Sequence, residues 1–376
     1  MNILGYLLFE IVFIQSNIIK VPLFKNYETY DMKIRHGSSP NMKSLELNMN
    51  AEFIFISFIS LLEQDPEIKE QGEEMPMNIN NQNVEARMVI SNFYLNDHQK
   101  TKVKDIMWYY ITDDSDLTDF DSFPLAYSCN NKEFSVIHSL YQNKLIDHQG
   151  FGILIDTVME NGTLFLGGFD KEVVIEQYEF KYWTQIDIET NYSTWGLKLN
   201  SISFGNQQYI INKYAYFQSN KEKIIVPQKY LDDLIENDFS SYFLNHTCNI
   251  TKNALSTSFI CFCDVIEYFP NITITLNNIE FSFYPRDLFE MKHNCFFLFA
   301  SKDNIDSETW IMGIPFMSKF FTYFDYEKDR ITFYSKYPIG GSTNNIKMYL
   351  FLFNIVMIIF FLIIIIITKT YKKLSY

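Results

Sequence analysis

The chain has 376 residues, a formal net charge of −14 and a pI near 4.9. This negative charge repels phosphate backbones and anionic lipid surfaces, which argues against nucleic acid as a partner. About 300 residues lie between two apolar ends, a length that exceeds one small core and suits two lobes of about 150 residues.

The amino-terminal segment, residues 1–16, is apolar and ends at Ser16. A small residue after an apolar stretch is typical of a cleavage site, so we predict a signal peptide there. Glu10 interrupts the apolar stretch and no basic residue precedes it, so an uncleaved or misassigned start is the alternative.

Residues 348–367 carry no charge, and their only polar side chains are Tyr349 and Asn354. About 20 apolar residues in a helix cross the hydrocarbon core of a bilayer, which predicts one transmembrane helix here. Lysines in residues 368–376 predict that this tail is cytoplasmic. The expectation is a single-pass type I membrane protein of the secretory pathway or cell surface, with residues 339–347 as a linker. A buried core helix is the alternative.

Short segments rich in Ile, Phe, Tyr and Val, separated by turn residues, predict an all-β architecture with few helices. The predicted strands are residues 32–34, 45–47, 53–56, 152–155, 163–166, 196–203, 271–276 and 330–334. Helical patterns occur at residues 136–144 and 227–235, and the second opens with Pro227.

Two kinds of modification are predicted. Glycosylation sequons occur at Asn161, Asn191, Asn245, Asn249 and Asn271, although an asparagine-rich chain produces some sequons by chance. Five cysteines fit an oxidising compartment. The paired His and Cys residues lack the spacing of common zinc modules, and no dinucleotide or phosphate-binding motif is present, so no metal or cofactor is predicted.

Several segments, taken in chain order, resemble the pepsin-like aspartic proteases. The closest match is GTLFLGGFD at residues 162–170, which is similar to the family's Gly-x-Leu-x-Leu-Gly-Gly-x-Asp strand and turn. The other segments are YDMKIRHGSSPN (30–41), FDSFPLAY (120–127), residues 139–151, WGLKLNSISFG (195–205), PQKYLDDL (227–234), WIMGIPF (310–316) and YFDYEKDRITFY (323–334).

The resemblance implies a bilobal β fold with a cleft between an N-terminal lobe, residues 22–175, and a C-terminal lobe, residues 176–338. Each lobe of the family donates one aspartate from an Asp-Thr/Ser-Gly turn. Two such carboxylates, about 3 Å apart, share a proton, so one donates to the substrate carbonyl while the other activates water.

Neither catalytic motif occurs in this chain. Aligned through the resemblance, the first position falls at Asn48-Met49-Asn50 and the second at Gln218-Ser219-Asn220. Asn48 and Gln218 thus take the two catalytic aspartate positions, and an amide cannot act as a general base. We therefore predict that no catalytic residue is intact.

Other family features also differ. Asn50 and Asn220 replace the motif glycines; either they preserve a left-handed turn, which asparagine tolerates, or they reflect the abundance of asparagine. Pro124 replaces a supporting glycine and Ile314 an aspartate. The Tyr-Gly pair of the family's mobile flap is missing from residues 61–89, which are predicted to be a solvated loop.

The resemblance also implies the disulfide Cys263–Cys295, together with Cys248–Cys261. Four cysteines allow three pairings, and the residues alone do not choose among them.

Two function classes remain open, and a purely structural surface antigen with a collapsed cleft is a third possibility. The first is a membrane-anchored, inactive family member that binds a peptide or protein ligand in the inter-lobe cleft. The second is an active aspartic endopeptidase with an unusual carboxyl pair, for which the nearest acidic residues at strand ends are Asp31, Asp121, Asp187 and Asp325.

Overall fold

A computed structural model describes residues 17–340, except for 27–28, 37–41, 52–53, 58–68, 71–72, 80–81, 96–101, 112–120, 128–134, 189–193, 253–255 and 302–307. The predicted signal peptide and the predicted transmembrane helix lie outside the described residues. No helix among the described residues is long and apolar enough to cross a membrane.

The described chain is mostly β-structure. Its strands are β1 (Ile19–Asn26), β2 (Thr29–His36), β3 (Lys43–Asn48), β4 (Ile54–Ser57), β5 (Lys69–Glu70), β6 (Met75–Ile79), β7 (Gln82–Tyr94), β8 (Lys102–Ile111), β9 (Ser122–Pro124), β10 (Gly150–Asp156), β11 (Asn161–Leu166), β12 (Tyr182–Asp187), β13 (Gly196–Phe204), β14 (Gln207–Phe217), β15 (Ile224–Ile225), β16 (Cys248–Lys252), β17 (Thr257–Cys261), β18 (Ile272–Leu276), β19 (Ile279–Phe283), β20 (Phe289–Met291), β21 (Cys295–Phe297), β22 (Phe299–Ala300), β23 (Trp310–Met312), β24 (Phe321–Asp325) and β25 (Arg330–Ser335).

These strands form three sheets in the described part of the chain. The first has the order β12-β25-β24-β10-β11-β1-β2-β3-β9-β4-β8-β7-β5, with β6 also paired to β7. The second has the order β19-β18-β13-β14-β23-β15-β22, and the third β16-β17-β21-β20. Because β24 pairs with β10, the first sheet joins strands from both predicted lobes. The lobe boundaries themselves stay predictions.

Four short α-helices connect the strands of the described chain: α1 (Val136–Gln142), α2 (Gln228–Asp233), α3 (Ser240–Leu244) and α4 (Ile314–Lys319). Single turns of π-helix occur at Glu172–Gln177 and Leu234–Asp238, and of 3-10 helix at Ile266–Tyr268 and Pro285–Leu288. The two predicted helices are confirmed as α1 and α2. In α1 the hydroxyl of Ser135 accepts a hydrogen bond from the backbone N–H of His138 at 3.0 Å, which caps the helix.

All eight predicted strands are confirmed as parts of β2, β3, β4, β10, β11, β13, β18 and β25. In β18 the buried residues alternate with partly exposed threonines, as a strand with one core face requires. The expectation of a solvated loop at residues 61–89 is wrong, because β6 and β7 form an antiparallel hairpin from Met75↔Ala86 to Ile79↔Gln82. The acidic residues Glu73 and Glu74 lie directly before β6, and the backbone of β6 is satisfied by pairing with β7.

The third sheet carries both disulfides. Cys248 is bonded to Cys261 and Cys263 to Cys295, which is the pairing that the resemblance implied. In this sheet Cys248 lies directly opposite Cys261 on the neighbouring strand.

Asp238 lies at the end of a π-helical turn and is half-buried. Few hydrogen bonds offset the cost of burying its carboxyl group. Its Oδ2 atom is buried and has no hydrogen-bond partner, and burial together with the nearby Asp233 raises the pKa of its carboxyl group. A raised carboxyl pKa means that its contribution to stability is present below the unfolded-state pKa and is lost as pH rises through the folded-state pKa.

Asp238→Asn is therefore expected to increase the free energy of unfolding by on the order of 1 kcal/mol at about pH 7, and by less at about pH 4. Urea unfolding of the full chain at both pH values measures this difference. Asp232→Asn, an exposed neighbour, serves as the matched control. An equal gain at both pH values would contradict the assignment.

Candidate functional site

The first loop of the candidate site follows β3. This strand runs parallel to β9, with Leu47 opposite Phe123 and Asn48 opposite Pro124. The backbone carbonyl of Asn48 accepts a hydrogen bond from Leu125 N–H at 2.9 Å. Asn48 thus leaves the strand at a point that the neighbouring strand holds in place.

One of the two polar atoms of the Asn48 side-chain amide is hydrogen-bonded within its own loop. Its Oδ1 atom accepts hydrogen bonds from the backbone N–H groups of Asn50 at 2.9 Å and Ala51 at 3.2 Å. The side-chain oxygen thus closes a tight turn, in a pattern that asparagine and aspartate commonly form. The half-buried side chain keeps its Nδ2 group, which can only donate hydrogen bonds.

The second loop follows β14 and has the same construction. β14 runs parallel to β23, with Phe217 opposite Met312, and Gln218 N–H donates to the Met312 carbonyl at 3.1 Å. A Cβ atom on Gly313 would lie 2.3 to 2.4 Å from the backbone oxygens of Lys223 and Lys221. Only glycine fits this close approach of two backbones.

One hydrogen bond joins the two loops. The Ser219 hydroxyl donates to the backbone carbonyl of Leu47 at 2.6 Å, across 172 residues of sequence, and the bond is buried. Ser219 follows Gln218 directly and Leu47 precedes Asn48 directly. The structure therefore brings together the two loops that carry the predicted positions.

An aromatic cluster supports the first loop from the second half of the chain. Trp195 is fully buried, and its Nε1–H donates to the Leu125 carbonyl at 2.7 Å. The Tyr326 hydroxyl donates to the carbonyls of Leu125 at 3.2 Å and Ala126 at 3.1 Å. Burial raises the pKa of Tyr326, so its hydroxyl stays neutral and remains a donor.

The two asparagines that replace the motif glycines do not preserve a left-handed turn. Neither Asn50 nor Asn220 is among the described residues with positive φ. Of the two alternatives for these asparagines, a preserved left-handed turn is therefore excluded, and the abundance of asparagine remains. The Oδ1 atom of Asn220 is buried and has no hydrogen-bond partner, which is an unfavourable arrangement for an amide oxygen.

Each of the four acidic residues that could supply an alternative carboxyl pair has a nearby hydrogen-bond or ion-pair partner. Asp31 accepts hydrogen bonds from Asn26 Nδ2 at 2.6 Å and Ser44 Oγ at 3.0 Å. Asp121 is 2.7 Å from Lys43 Nζ, Asp187 is 3.2 Å from Arg330 Nη2, and Asp325 accepts from the N–H groups of residues 327 and 328.

The sheet topology also separates these carboxylates. Asp31 on β2 and Asp121 beside β9 flank β3, so they lie two strand spacings apart. Asp187 on β12 and Asp325 on β24 flank β25 in the same way. Two spacings separate the backbones of each pair by about 9.5 Å, so the two residues of a pair are not direct neighbours in the sheet.

Four of the five predicted glycosylation sites are described, and all four side chains are exposed: Asn161, Asn245, Asn249 and Asn271. Asn191 lies outside the described residues.

The sequence profile of the family described as eukaryotic aspartyl protease matches residues 123–336. This match covers more than half of the chain, so the chain belongs to that family.

Two curated relatives are the plasmepsin IV proteins of two Plasmodium falciparum isolates, which are 25% and 26% identical over 182 residues. The aligned part is 46% of this chain but only 35% of each relative, so about a third of their length is matched. Among solved structures, the aspartic proteinase from Irpex lacteus is similar with a TM-score of 0.66 and 11% identity, over 85% of this chain and 97% of that chain. This likeness confirms the pepsin-like, bilobal character of the fold.

Sequence reasoning had identified Ser219 only as the middle residue of a degenerate motif. Its bond to Leu47 spans 172 residues of sequence, and no local sequence signal points to it.

Ser219→Ala is expected to lower the free energy of unfolding by about 1–3 kcal/mol, because the buried Leu47 carbonyl loses a partner. Amide hydrogen exchange of the full chain should rise at residues 48–51. Ser258→Ala is the matched control, since the Ser258 hydroxyl is equally buried but bonds only to Phe297 and Phe299. Unchanged exchange at residues 48–51 would show that Ser219 does not hold the first loop.

Proposed function

We propose that this chain is a non-catalytic member of the eukaryotic aspartyl protease family that binds a peptide or protein segment in the cleft between its lobes. The observation that carries this proposal is the Ser219–Leu47 hydrogen bond, which brings together the loops of Asn48 and Gln218. In this proposal Asn48 and Gln218 occupy the two positions where the family has catalytic aspartates.

The construction of the two loops supports this assignment. Each polar residue ends a strand that runs parallel to a second strand, β3 beside β9 and β14 beside β23. The same geometry from both halves of the chain is what a pair of converging catalytic groups requires.

The chemistry of the two side chains then argues against catalysis. Hydrolysis by this family needs a base that activates water and an acid that protonates the product. An amide supplies neither at any physiological pH. In addition, Asn48 Oδ1 is occupied by the N–H groups of Asn50 and Ala51, so it is not directed at a water molecule.

The same side chains are suited to binding. Asn48 Nδ2 and the half-buried amide of Gln218 can donate to the carbonyl oxygens of an extended main chain. Because neither group titrates, binding at this point is expected to be independent of pH, whereas binding to a carboxyl pair changes as the shared proton is lost.

The proposed location is a membrane surface. The uncharged segment 348–367 would hold the protein in the bilayer, and residues 1–16 would direct it into the secretory pathway. The two disulfides fit an oxidising compartment. The exposed side chains of four sequon asparagines are compatible with glycosylation on that side.

Peptide capture tests the proposal. The full-length chain, purified in mild detergent and immobilised, is offered tryptic peptides of denatured globin at about pH 4.5 and about pH 7.4, and retained peptides are identified by mass spectrometry. The expected result is retention of intact peptides at both pH values. Peptides with new, non-tryptic ends would show that the protein is an endopeptidase.

Matched variants show whether the peptides are retained in the cleft. Gln218→Trp places a bulky side chain between the loops and is expected to abolish retention. Gln177→Trp changes an exposed residue on a π-helical turn and should leave retention unchanged. Equal retention by both variants, or none by the parent chain, would overturn the binding proposal.

A further inference from the structure

Four cysteines lie together at the third sheet, where they form two disulfides. Their arrangement on the strands also places cysteines of different disulfides next to each other. Cys248 on β16 is directly opposite Cys261 on β17, and Cys261 is directly opposite Cys295 on β21. Opposite residues of antiparallel strands point to the same face, with Cα atoms about 4.5–5.5 Å apart. Cys261 is thus flanked on this face by two cysteines, but it is bonded to only one.

Cys261 and Cys295 are neighbours that are not bonded to each other, and the distance between them is one at which a disulfide can form. Cα separations of about 4.4–6.8 Å are normal for disulfides, so Cys261 and Cys295 could be bonded without moving the strands. Cys248 and Cys295 differ in this respect. They are two strand spacings apart, about 9.5 Å, and cannot be bonded in the folded sheet.

Access to the cluster is uneven. Cys248, Cys261 and Cys295 are buried, with exposed fractions of 2%, 3% and 0%. Cys263 is partly exposed and follows Phe262, whose side chain is 55% exposed. Cys263 is therefore the cysteine of this cluster that is most accessible to an external thiol.

We propose that these cysteines form a thiol–disulfide exchange site whose co-substrate is a low-molecular-weight thiol. The thiolate attacks Cys263 Sγ, a mixed disulfide forms, the Cys263–Cys295 bond breaks, and the electron pair leaves on Cys295. The Cys295 thiolate attacks the adjacent Cys261 Sγ, so the Cys261–Cys295 bond forms and the Cys248–Cys261 bond breaks, leaving a thiolate on Cys248 that takes a proton.

A second molecule of the small thiol completes the reaction. It attacks the mixed disulfide at the sulfur of the first small thiol, so Cys263 is released as a thiol and the two small thiols leave as their disulfide. In total, two small thiols are oxidised and one protein disulfide is reduced. The protein keeps one crosslink, moved to the central strands β17 and β21, while the edge strand β16 loses its covalent attachment.

Disulfide mapping of the full-length chain tests this reaction. The chain is treated with graded reduced glutathione, free thiols are blocked with N-ethylmaleimide, and non-reduced digests are analysed by mass spectrometry. The expected product links Cys261 to Cys295 and carries the blocking group on Cys248 and Cys263. Loss of both native crosslinks with labels on all four cysteines would overturn the proposal, as would the absence of any Cys261–Cys295 product.

Two matched variants test whether the exchange depends on the position of Cys261 opposite Cys295. Cys248→Ser and Cys261→Ser both remove the same disulfide and leave one cysteine of this cluster unpaired, but only Cys248→Ser leaves it beside Cys295. Without added thiol, Cys248→Ser is expected to show a Cys261–Cys295 link in at least about a tenth of the molecules, and Cys261→Ser should keep Cys263–Cys295 alone. Identical mapping of the two variants would overturn the proposal.

A third variant covers the case in which Cys248→Ser fails to fold. Cys263→Ser leaves Cys295 as a thiol beside the intact Cys248–Cys261 bond and is expected to give the same Cys261–Cys295 link. Its absence from a folded Cys263→Ser chain would also contradict the exchange.

Discussion

The full-length chain is expected to leave denatured globin intact at every pH between about 3 and 6, with or without pepstatin. Replacing both acid–base groups by amides removes the proton relay, and positioned proton transfer contributes about 10²–10⁴-fold to a rate. We therefore expect a cleavage rate at least about 10⁴-fold below that of an active aspartic proteinase assayed beside it. Release of acid-soluble peptides measures this rate.

The control for this assay is the pepstatin response. An active aspartic proteinase at the same concentration must lose its activity when pepstatin is added. Pepstatin-sensitive cleavage by this chain would contradict the assignment of Asn48 and Gln218. The acidic residues at strand ends, Asp31, Asp121, Asp187 and Asp325, would then be the candidates for the carboxyl pair.

The second large effect concerns the packing between the two halves of the chain. Trp195→Ala is expected to lower the free energy of unfolding by about 3–5 kcal/mol, because a fully buried indole is replaced by a cavity. The ring lies 4.8 Å from both Tyr127 and Tyr326 and 4.9 Å from Phe324, measured between centroids. The Leu125 carbonyl would also lose its indole donor.

Trp183 provides the matched control for Trp195. It lies on the edge strand β12 and is 58% exposed, so Trp183→Ala is expected to change the free energy of unfolding by no more than about 0.5 kcal/mol. Urea unfolding of both variants measures the difference. Equal effects of the two substitutions would contradict the view that the aromatic cluster holds the first loop in place.

The sequence predicted those parts of the fold that have a strong local pattern. In β18, Ile272, Ile274 and Leu276 alternate with threonines. This pattern predicts a strand with one buried face, even when the neighbouring strands are not known. The hairpin of β6 and β7 was missed because the first residues of β6, Met75 and Pro76, are exposed, so the strand lacks the alternation of buried and exposed residues that marks β18.

The candidate site was predicted only in outline. Its two positions followed from the family resemblance, but the bond that joins them links residues 172 positions apart, and no local pattern encodes such a contact. The conformation of Asn50 and Asn220 was left open by the sequence, because residue preference for the left-handed region is a weak guide once neighbouring strands constrain the turn.

Combining Asn48→Asp with Gln218→Asp tests the central claim, that these two side chains face each other in the cleft. If they do, the two carboxyl groups share a proton and one pKa is raised, so stability that is present in acid is lost as pH rises through that pKa. Urea unfolding of the single and double variants of the full chain, at about pH 4 and about pH 7, measures the effect.

We predict that the double variant is less stable than the sum of the single variants by about 1–3 kcal/mol at about pH 7, and close to that sum at about pH 4. Additive effects of the two substitutions at both pH values would mean that the side chains do not meet, and would contradict the account.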